Sequence, residues 1–500
     1  MIRRLTGLAL AALLPGAAHA EWREARTPHF TIWADLSEAA IRKEAERLEG
    51  VDQLLRKATS IPAENAVVPV RVYLVGDEGA VQRALGAKSP DAAGFYTVNA
   101  AGPMAVSPVN RGSNDFASVI LNHEYAHHFQ LQYLPATYPS WYIEGWAELV
   151  STAGPIGGGR YAYGRAANHR EYSLTSSRWL PVPTLLSGDY RSTVSDSDFY
   201  GQSWLLAHYM TFDNARGARL KAYLNALGGG QPHEQAVKAL GPLDVLNRDL
   251  RKYLAAASFG YKAVDIARVP ASEIKVRTLT PGEAATVPET IAMRDNLSGG
   301  RASALLAAIR ADAARHPRDL YPTLLLADAE FAADDFEASL AAAERALKLD
   351  PLNSRALARK GMAMLELAGK APSAERATRV RAARKFFADA NAIDNNAPLP
   401  LVGFYRASAA LGAVNDNAFA ALEQAVSTVP QDGGYRMVLV REYARRERFR
   451  EALATLVPLS NSPHASPFRE SARELYEELK AKAAAGRTEP GERSPAAGGS

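Results

Sequence analysis

Apolar and polar positions change period several times along this 500-residue chain. From His29 to Trp33 they alternate, the period of a strand with one buried face. Ser37 reads as a helix N-cap, with Ile41, Ala45, Leu48 and Leu55 on one side of the helix it opens. Val68, Val70, Val72 and Leu74 alternate again and predict a second strand. Two shorter strand candidates follow, Gly94 to Val98 and Met104 to Ser107. The run Phe116 to Tyr133 predicts a helix, broken at Leu134-Pro135, and Pro139-Ser140 reads as the next helix start. Past Glu148 the pattern is helical, including the run Asp198 to Met210.

Residues 269–300 are rich in Pro, Gly and Thr, with little periodicity, and read as a linker between two domains. Beyond them a 34-residue spacing appears: Pro317 and Pro351, Ala327 and Gly361, Ala418 and Ala452. Small residues recur in pairs at Ser339 and Ala346, Ala383 and Ala390, and Ala418 and Ala425, as required where paired helices approach closely. An insertion of about ten residues around Ala371 to Arg381 separates two copies. Residues 301–484 therefore read as a helical repeat array closed by a helix from about Ser466 to Ala484, expected to fold apart from the first domain. The tail, 485–500, is Gly/Pro/Ser-rich and reads as disordered.

Composition changes this picture little. Hydrophobic residues at 47% and charged residues at 22% are ordinary globular values. The 58 basic and 54 acidic residues leave a net charge of +4, so nothing points to nucleic acid. Cysteine is absent, which excludes a disulfide framework and any thiolate metal site. The segment 1–20 has a basic start, an apolar run from Leu5 to Leu14, and Ala18-His19-Ala20 before Glu21. It reads as a signal peptide, which implies an exported protein, periplasmic or secreted, with no integral membrane segment in its mature chain.

The candidate chemistry lies in His123-Glu124-Tyr125-Ala126-His127, an H-E-x-x-H pattern. Two imidazoles four residues apart share one helix face and can reach one zinc ion, while Glu124 lies close enough to take a proton from a metal-activated water. A third ligand is offered downstream in Ile143-Glu144-Gly145-Trp146-Ala147-Glu148, where Glu144 and Glu148 share a helix face. His123, His127 and Glu144 leave a fourth zinc position open, as catalysis requires. His128 lies off that face and reads as a neighbour of the site or a surface residue, and His208 as structural.

These motifs resemble the gluzincin zinc metallopeptidases, over roughly Glu21 to Lys262. The resemblance implies an α+β zincin-like catalytic domain over 21–268, a small sheet lobe plus a helical lobe, with Glu144 as third ligand. It places Glu148 where a carboxylate hydrogen-bonds a zinc histidine. It places Tyr200, in Phe199-Tyr200-Gly201-Gln202-Ser203-Trp204, where a tyrosine donates to the oxyanion, with Tyr163 or His169 next in line. By the same analogy Met104 to Ser107 would be the edge strand over the cleft. Two departures stand out: Gln202 replaces a family lysine, and Ala101 to Ala105 lacks the acid that holds a free substrate amine. The array resembles tetratricopeptide repeats, an all-α solenoid that implies a protein partner. The combined expectation is an exported zinc peptidase cutting within peptide or protein substrates. The alternatives are an exopeptidase, or a binding scaffold carrying an inactive peptidase-like domain.

Overall fold

The computed structural model describes residues 21–485 except 65–67, 86–92, 100–101, 110–115, 137, 176–177, 188–194, 294–299, 413 and 461–467. The segment 1–20, which reads as a signal peptide, and the tail beyond 485 lie outside the described residues.

The described residues open with β1 (Trp22–Arg26) and β2 (Phe30–Asp35), then α1 (Glu38–Thr59), β3 (Val70–Val75), α2 (Glu78–Leu85), β4 (Phe95–Asn99) and β5 (Gly102–Pro108). Ser37 caps α1 as expected, its hydroxyl accepting from the Ala40 N–H. Next come α3 (Phe116–Tyr133) and α4 (Ser140–Ser151), then a hairpin of β6 (Gly154–Gly157) and β7 (Arg160–Tyr163). A helical section follows: α5 (Glu171–Thr175), α6 (Val182–Ser187), α7 (Asp196–Thr211), α8 (Asn214–Gly228), α9 (His233–Ala236) and α10 (Leu243–Ala256). It returns through β8 (Lys262–Asp265), which pairs with β7, to β9 (Lys275–Thr278).

Among the described residues, six strands form one sheet in the order β4-β5-β3-β2-β1-β9. Strands β2, β3 and β5 run parallel, and β4, β1 and β9 are antiparallel to their neighbours. Both faces are covered, which accounts for the run of apolar residues in β3. Phe30, Ile32, Val72 and Ala105 pack with α1 and α3 on one face. Trp33, Tyr73, Met104 and Val106 face the other way, onto Val81 of α2.

Two sequence expectations change here. Met104 to Ser107 lies in β5, an inner strand, and the edge strand beside it is β4. The alternation predicted both strands, but only backbone pairing decides which one ends the sheet. Residues 269–300 are not a plain linker. β9 pairs with β1, residues some 250 positions earlier, and α11 (Pro281–Ala285) and α12 (Val287–Ala292) follow, so the sheet lobe extends past 268.

A second core joins α4, α6, α7, α8 and α10 around Trp141, Trp204 and Tyr223. Helix α4 belongs to both cores, giving Trp146, Ala147 and Val150 to the sheet side and Trp141 and Leu149 to the helical side. It is the seam between a small sheet lobe and a helical lobe.

From α13 (Gly300–Arg315) onward the elements among the described residues are all helices: α14 (Leu320–Ala332), α15 (Phe336–Leu349), α16 (Ser354–Gly369), α17 (Ser373–Ile393), α18 (Pro398–Ala410), α19 (Asp416–Thr428), α20 (Gly433–Arg445), α21 (Phe449–Ser460) and α22 (Arg469–Ala485). The recurring small residues Ser339, Ala346, Ala383, Ala390, Ala418, Ala425 and Ala452 are all fully buried. The predicted insertion appears as extra length in the 21-residue α17 rather than as a loop. Asp335, Asn353, Asn415 and Asp432 cap their helices with side-chain oxygens.

Among the described residues, the contacts that hold the stack against the first lobes include two sets of hydrogen bonds far apart along it. Asp319, the N-cap of α14, accepts from the Gly282 N–H at 3.1 Å and from the Thr280 hydroxyl. Farther along, Gln431 donates to Gln132 at the end of α3 at 3.0 Å. Between sheet and stack lies a cavity of about 800 Å³ whose walls include Trp33, Arg277, Tyr321 and Arg355. Among the described residues no helix is long and apolar enough to cross a membrane.

Candidate metal centre

Helix α3 is polar on two sides. On its inner side the Tyr125 hydroxyl donates to Asp52 of α1 at 2.6 Å. The Asn122 amide donates to the Ser151 and Ala153 carbonyls at 3.2 and 2.8 Å, tying α3 to the end of α4. These bonds fix the rotation of α3 so that His123 and His127 face α4.

There the two imidazoles meet Glu144. The Nε2 atoms of His123 and His127 are 3.1 Å apart, and Glu144 Oε2 lies 3.5 Å from the first and 3.6 Å from the second. Donor atoms about 2.1 Å from a tetrahedral zinc would stand about 3.4 Å apart. The three side chains therefore form one face of a tetrahedron of the right size, and two imidazoles with a carboxylate are a donor set zinc accepts. Glu124, half-buried one residue beyond His123, acts by its charge on both His123 and Tyr96.

Glu148 does not point to the same place. Its Oε1 is 3.1 Å from His123 Nδ1, on the far side of that ring from Glu144. It is fully buried and also meets His169 Nε2 at 2.8 Å and the Arg170 guanidinium, with Nη2 at 2.6 Å from Oε1 and Nε at 3.1 Å from Oε2. Burial alone would raise its pKa, but Arg170, His123 and His169 hold the carboxyl well below its usual range. Burial likewise opposes charge on His123, yet Glu144 and Glu148 raise its pKa to about 10. The negative charge that holds a proton on this ring also favours a metal cation.

Tyr200 comes from the first turns of α7, and its ring centroid is 6.0 Å from that of His123. Gln202 takes no part: it is buried, with its amide oxygen accepting from the Leu180 N–H at 3.0 Å. His169 is no substitute for Tyr200, because it meets Glu148 behind His123. Tyr163 packs against Phe212, with ring centroids 6.0 Å apart. His208 is structural, between the Gly164 and Gly260 carbonyls and the Tyr253 hydroxyl.

Sequence reasoning missed Arg170, which lies in a one-turn helix, Asn168–Arg170, beyond the β6–β7 hairpin. Only the hairpin's return brings it back to Glu148, so no local pattern could mark it. It also missed the surroundings of His128, which is buried, with Nδ1 3.0 Å from the Tyr96 hydroxyl of β4 and 3.5 Å from Gln431 Nε2. Burial pushes the pKa of this ring down to about 3.

A second group, His29, Glu49 and Asp52, also lies close enough together to attract a metal. Its hydrogen bonds argue otherwise. His29 Nδ1 is 2.8 Å from Glu49 Oε2, and Nε2 is 2.8 Å from the Glu64 carbonyl, so both nitrogens face acceptors, as in an imidazolium. Asp52 already receives Arg56 at 2.6 Å and Tyr125 at 2.6 Å. This is an ion-pair network that anchors the back of α3.

No protein-family profile matches the chain, and no curated protein matches it. Similarity is found among solved structures. A thermophilic tetratricopeptide repeat protein of Thermus thermophilus, TTC0263, is 20% identical over 36% of this chain and 92% of its own, with a TM-score of 0.32. A tetratricopeptide repeat protein from Parabacteroides merdae is 14% identical over 54% of this chain and 89% of its own, TM-score 0.30. Yeast Tom70 is 12% identical over 60% of this chain and 63% of its own, TM-score 0.27.

Proposed function

We propose that the chain is an exported zinc-dependent peptidase whose helical repeats position a substrate or partner protein. One observation carries this reading: Nε2 of His123, Nε2 of His127 and Oε2 of Glu144 lie 3.1 to 3.6 Å from one another, the spacing of three corners around one zinc ion. Zinc held there supplies Lewis acidity toward water and toward the scissile carbonyl. Glu124 takes the proton from the attacking water and returns it to the departing amine. Tyr200 donates a hydrogen bond to the carbonyl oxygen as charge builds on it. Glu148 accepts from His123 Nδ1 and so keeps Nε2 turned toward Glu144. Strand β4, at the sheet edge and joined to α3 through Tyr96 and His128, offers backbone pairing to an extended polypeptide. The lack of an acid in Ala101 to Ala105 to hold a free substrate amine favours cleavage within a chain over removal of a terminal residue.

The repeat stack favours a second reading, a binding scaffold without turnover, because stacked helical hairpins bind proteins without needing any chemistry. Zinc content and hydrolysis of a broad peptide library, wild type beside Glu124→Gln, separate the two. The peptidase reading expects about one zinc per chain in both proteins and cleavage in the wild type alone. Zinc in both with cleavage in neither supports the scaffold. Absence of zinc from both refutes the site.

A further inference from the structure

We propose that Arg170 is a positioning residue that fixes His123 through Glu148 and fixes the Tyr200 phenol by lying against its ring, linking metal binding to turnover. The Tyr200 half rests on the peptidase reading; the His123 half rests on the metal site alone.

The guanidinium serves two groups at once. Its Nη2 and Nε donate to the two oxygens of Glu148, at 2.6 and 3.1 Å, a fork that fixes the carboxylate plane. The same carboxylate meets His123 Nδ1 at 3.1 Å, so its plane sets the direction of the imidazole. The Arg170 Cζ atom also lies 5.3 Å from the centroid of the Tyr200 ring, within the range of a cation–π contact. His123 and Tyr200 face each other at 6.0 Å, so Arg170, Glu148, His123 and Tyr200 close a ring of contacts.

The backbone is arranged to make this approach. Ser173, in the turn after Arg170, donates its hydroxyl to the Arg170 carbonyl at 2.9 Å. The same Oγ would lie 2.5 Å from a Cβ on Gly201, the residue after Tyr200. A Cβ at 201 would force that hydroxyl to turn, at the cost of its bond to the Arg170 carbonyl. Lysine could supply the charge at position 170 but not the planar fork.

The test compares full-length Arg170→Met, Arg170→Lys and wild type. Zinc affinity is read by competition with a chromophoric chelator, and site geometry from the visible spectrum of the cobalt-substituted proteins. The Met variant is expected to bind zinc about 10- to 100-fold more weakly, with a shifted cobalt spectrum, and the Lys variant to recover part of both. Turnover supplies the coupling. Tyr200→Phe, costing about 10² to 10³ in the wild-type background, should cost no more than about tenfold beside Arg170→Met. Unchanged zinc affinity and cobalt spectrum overturn the His123 half; an undiminished Tyr200→Phe penalty overturns the other. If the Met variant fails to fold, the Lys variant carries both measurements. A wild type that binds zinc and cleaves nothing overturns the peptidase reading and the Tyr200 half with it. The zinc affinities then still decide the His123 half.

Discussion

Gly145 and Ser203 meet backbone to backbone: a Cβ on Gly145 would lie 2.4 Å from the Ser203 carbonyl oxygen. One residue before Gly145 is Glu144, and three before Ser203 is Tyr200. The contact therefore sets the distance between the helix bearing the third candidate ligand and the helix bearing the phenol. Gly145→Ala should cost about 1–3 kcal/mol of stability by overpacking, measured by urea unfolding, and should lower zinc occupancy as Glu144 moves. A variant as stable as wild type would mean that α4 and α7 are not packed this closely.

Tyr200→Phe should reduce turnover by about 10² to 10³ with zinc content unchanged, because the hydroxyl acts on charge that develops in the transition state. Steady-state kinetics on one peptide substrate is the measurement. Full activity would remove Tyr200 from the mechanism.

The His29 network predicts a pH signature. Burial alone would lower the His29 pKa, but the Glu49 hydrogen bond and the Asp52 charge raise it above 6.5. Glu49, despite its own burial, is held below its usual value by His29. A raised histidine contributes stability that is complete below its unfolded pKa and lost as pH rises through the folded one. The lowered carboxyl contributes above its unfolded pKa and loses this as pH falls through the folded one. The pair is thus strongest between the ordinary Glu and His values, about pH 4.3 to 6.5. Arg56, Asp52 and the Tyr125 hydroxyl share the hydrogen-bond network around this pair. Melting temperatures of wild type and His29→Gln should differ most near pH 6 and converge in alkali; a constant gap would show His29 to be neutral throughout.

The contact between the repeat stack and α3 can be tested directly, because the chain contains no cysteine. Gln132→Cys with Gln431→Cys should be joined within one molecule by a short bismaleimide, since the two glutamine side chains lie 3.0 Å apart. Linkage no faster than for a distant control pair would place the stack elsewhere.

Much of the site was legible because local chemistry marks it. His123 and His127 announce themselves by spacing, Glu144 by the glycine after it, and α1 by Ser37. Small residues at a fixed period revealed the stack, since close helix approach leaves room for nothing larger. Long-range pairing was not legible. Lys275–Thr278 is four residues with no recognisable run, and becomes a strand only because β1 is there to pair with it. The roles of β4 and β5 could not be told apart by alternation alone. Arg170 becomes a partner of the site only through Glu148, 22 positions away, and His128 gains its surroundings from Tyr96 and Gln431, 32 and 303 positions away.

The two attachments of the stack bear on how it comes apart. Arrays of nearest-neighbour hairpins fray from their ends, and each unit is protected by what lies on either side of it. Helices α14 to α19 run between the Asp319 attachment and the Gln431 contact, so they are restrained at both ends. Helices α21 and α22 extend past the second contact. Amide hydrogens should therefore exchange fastest in α22 and progressively more slowly back toward α19.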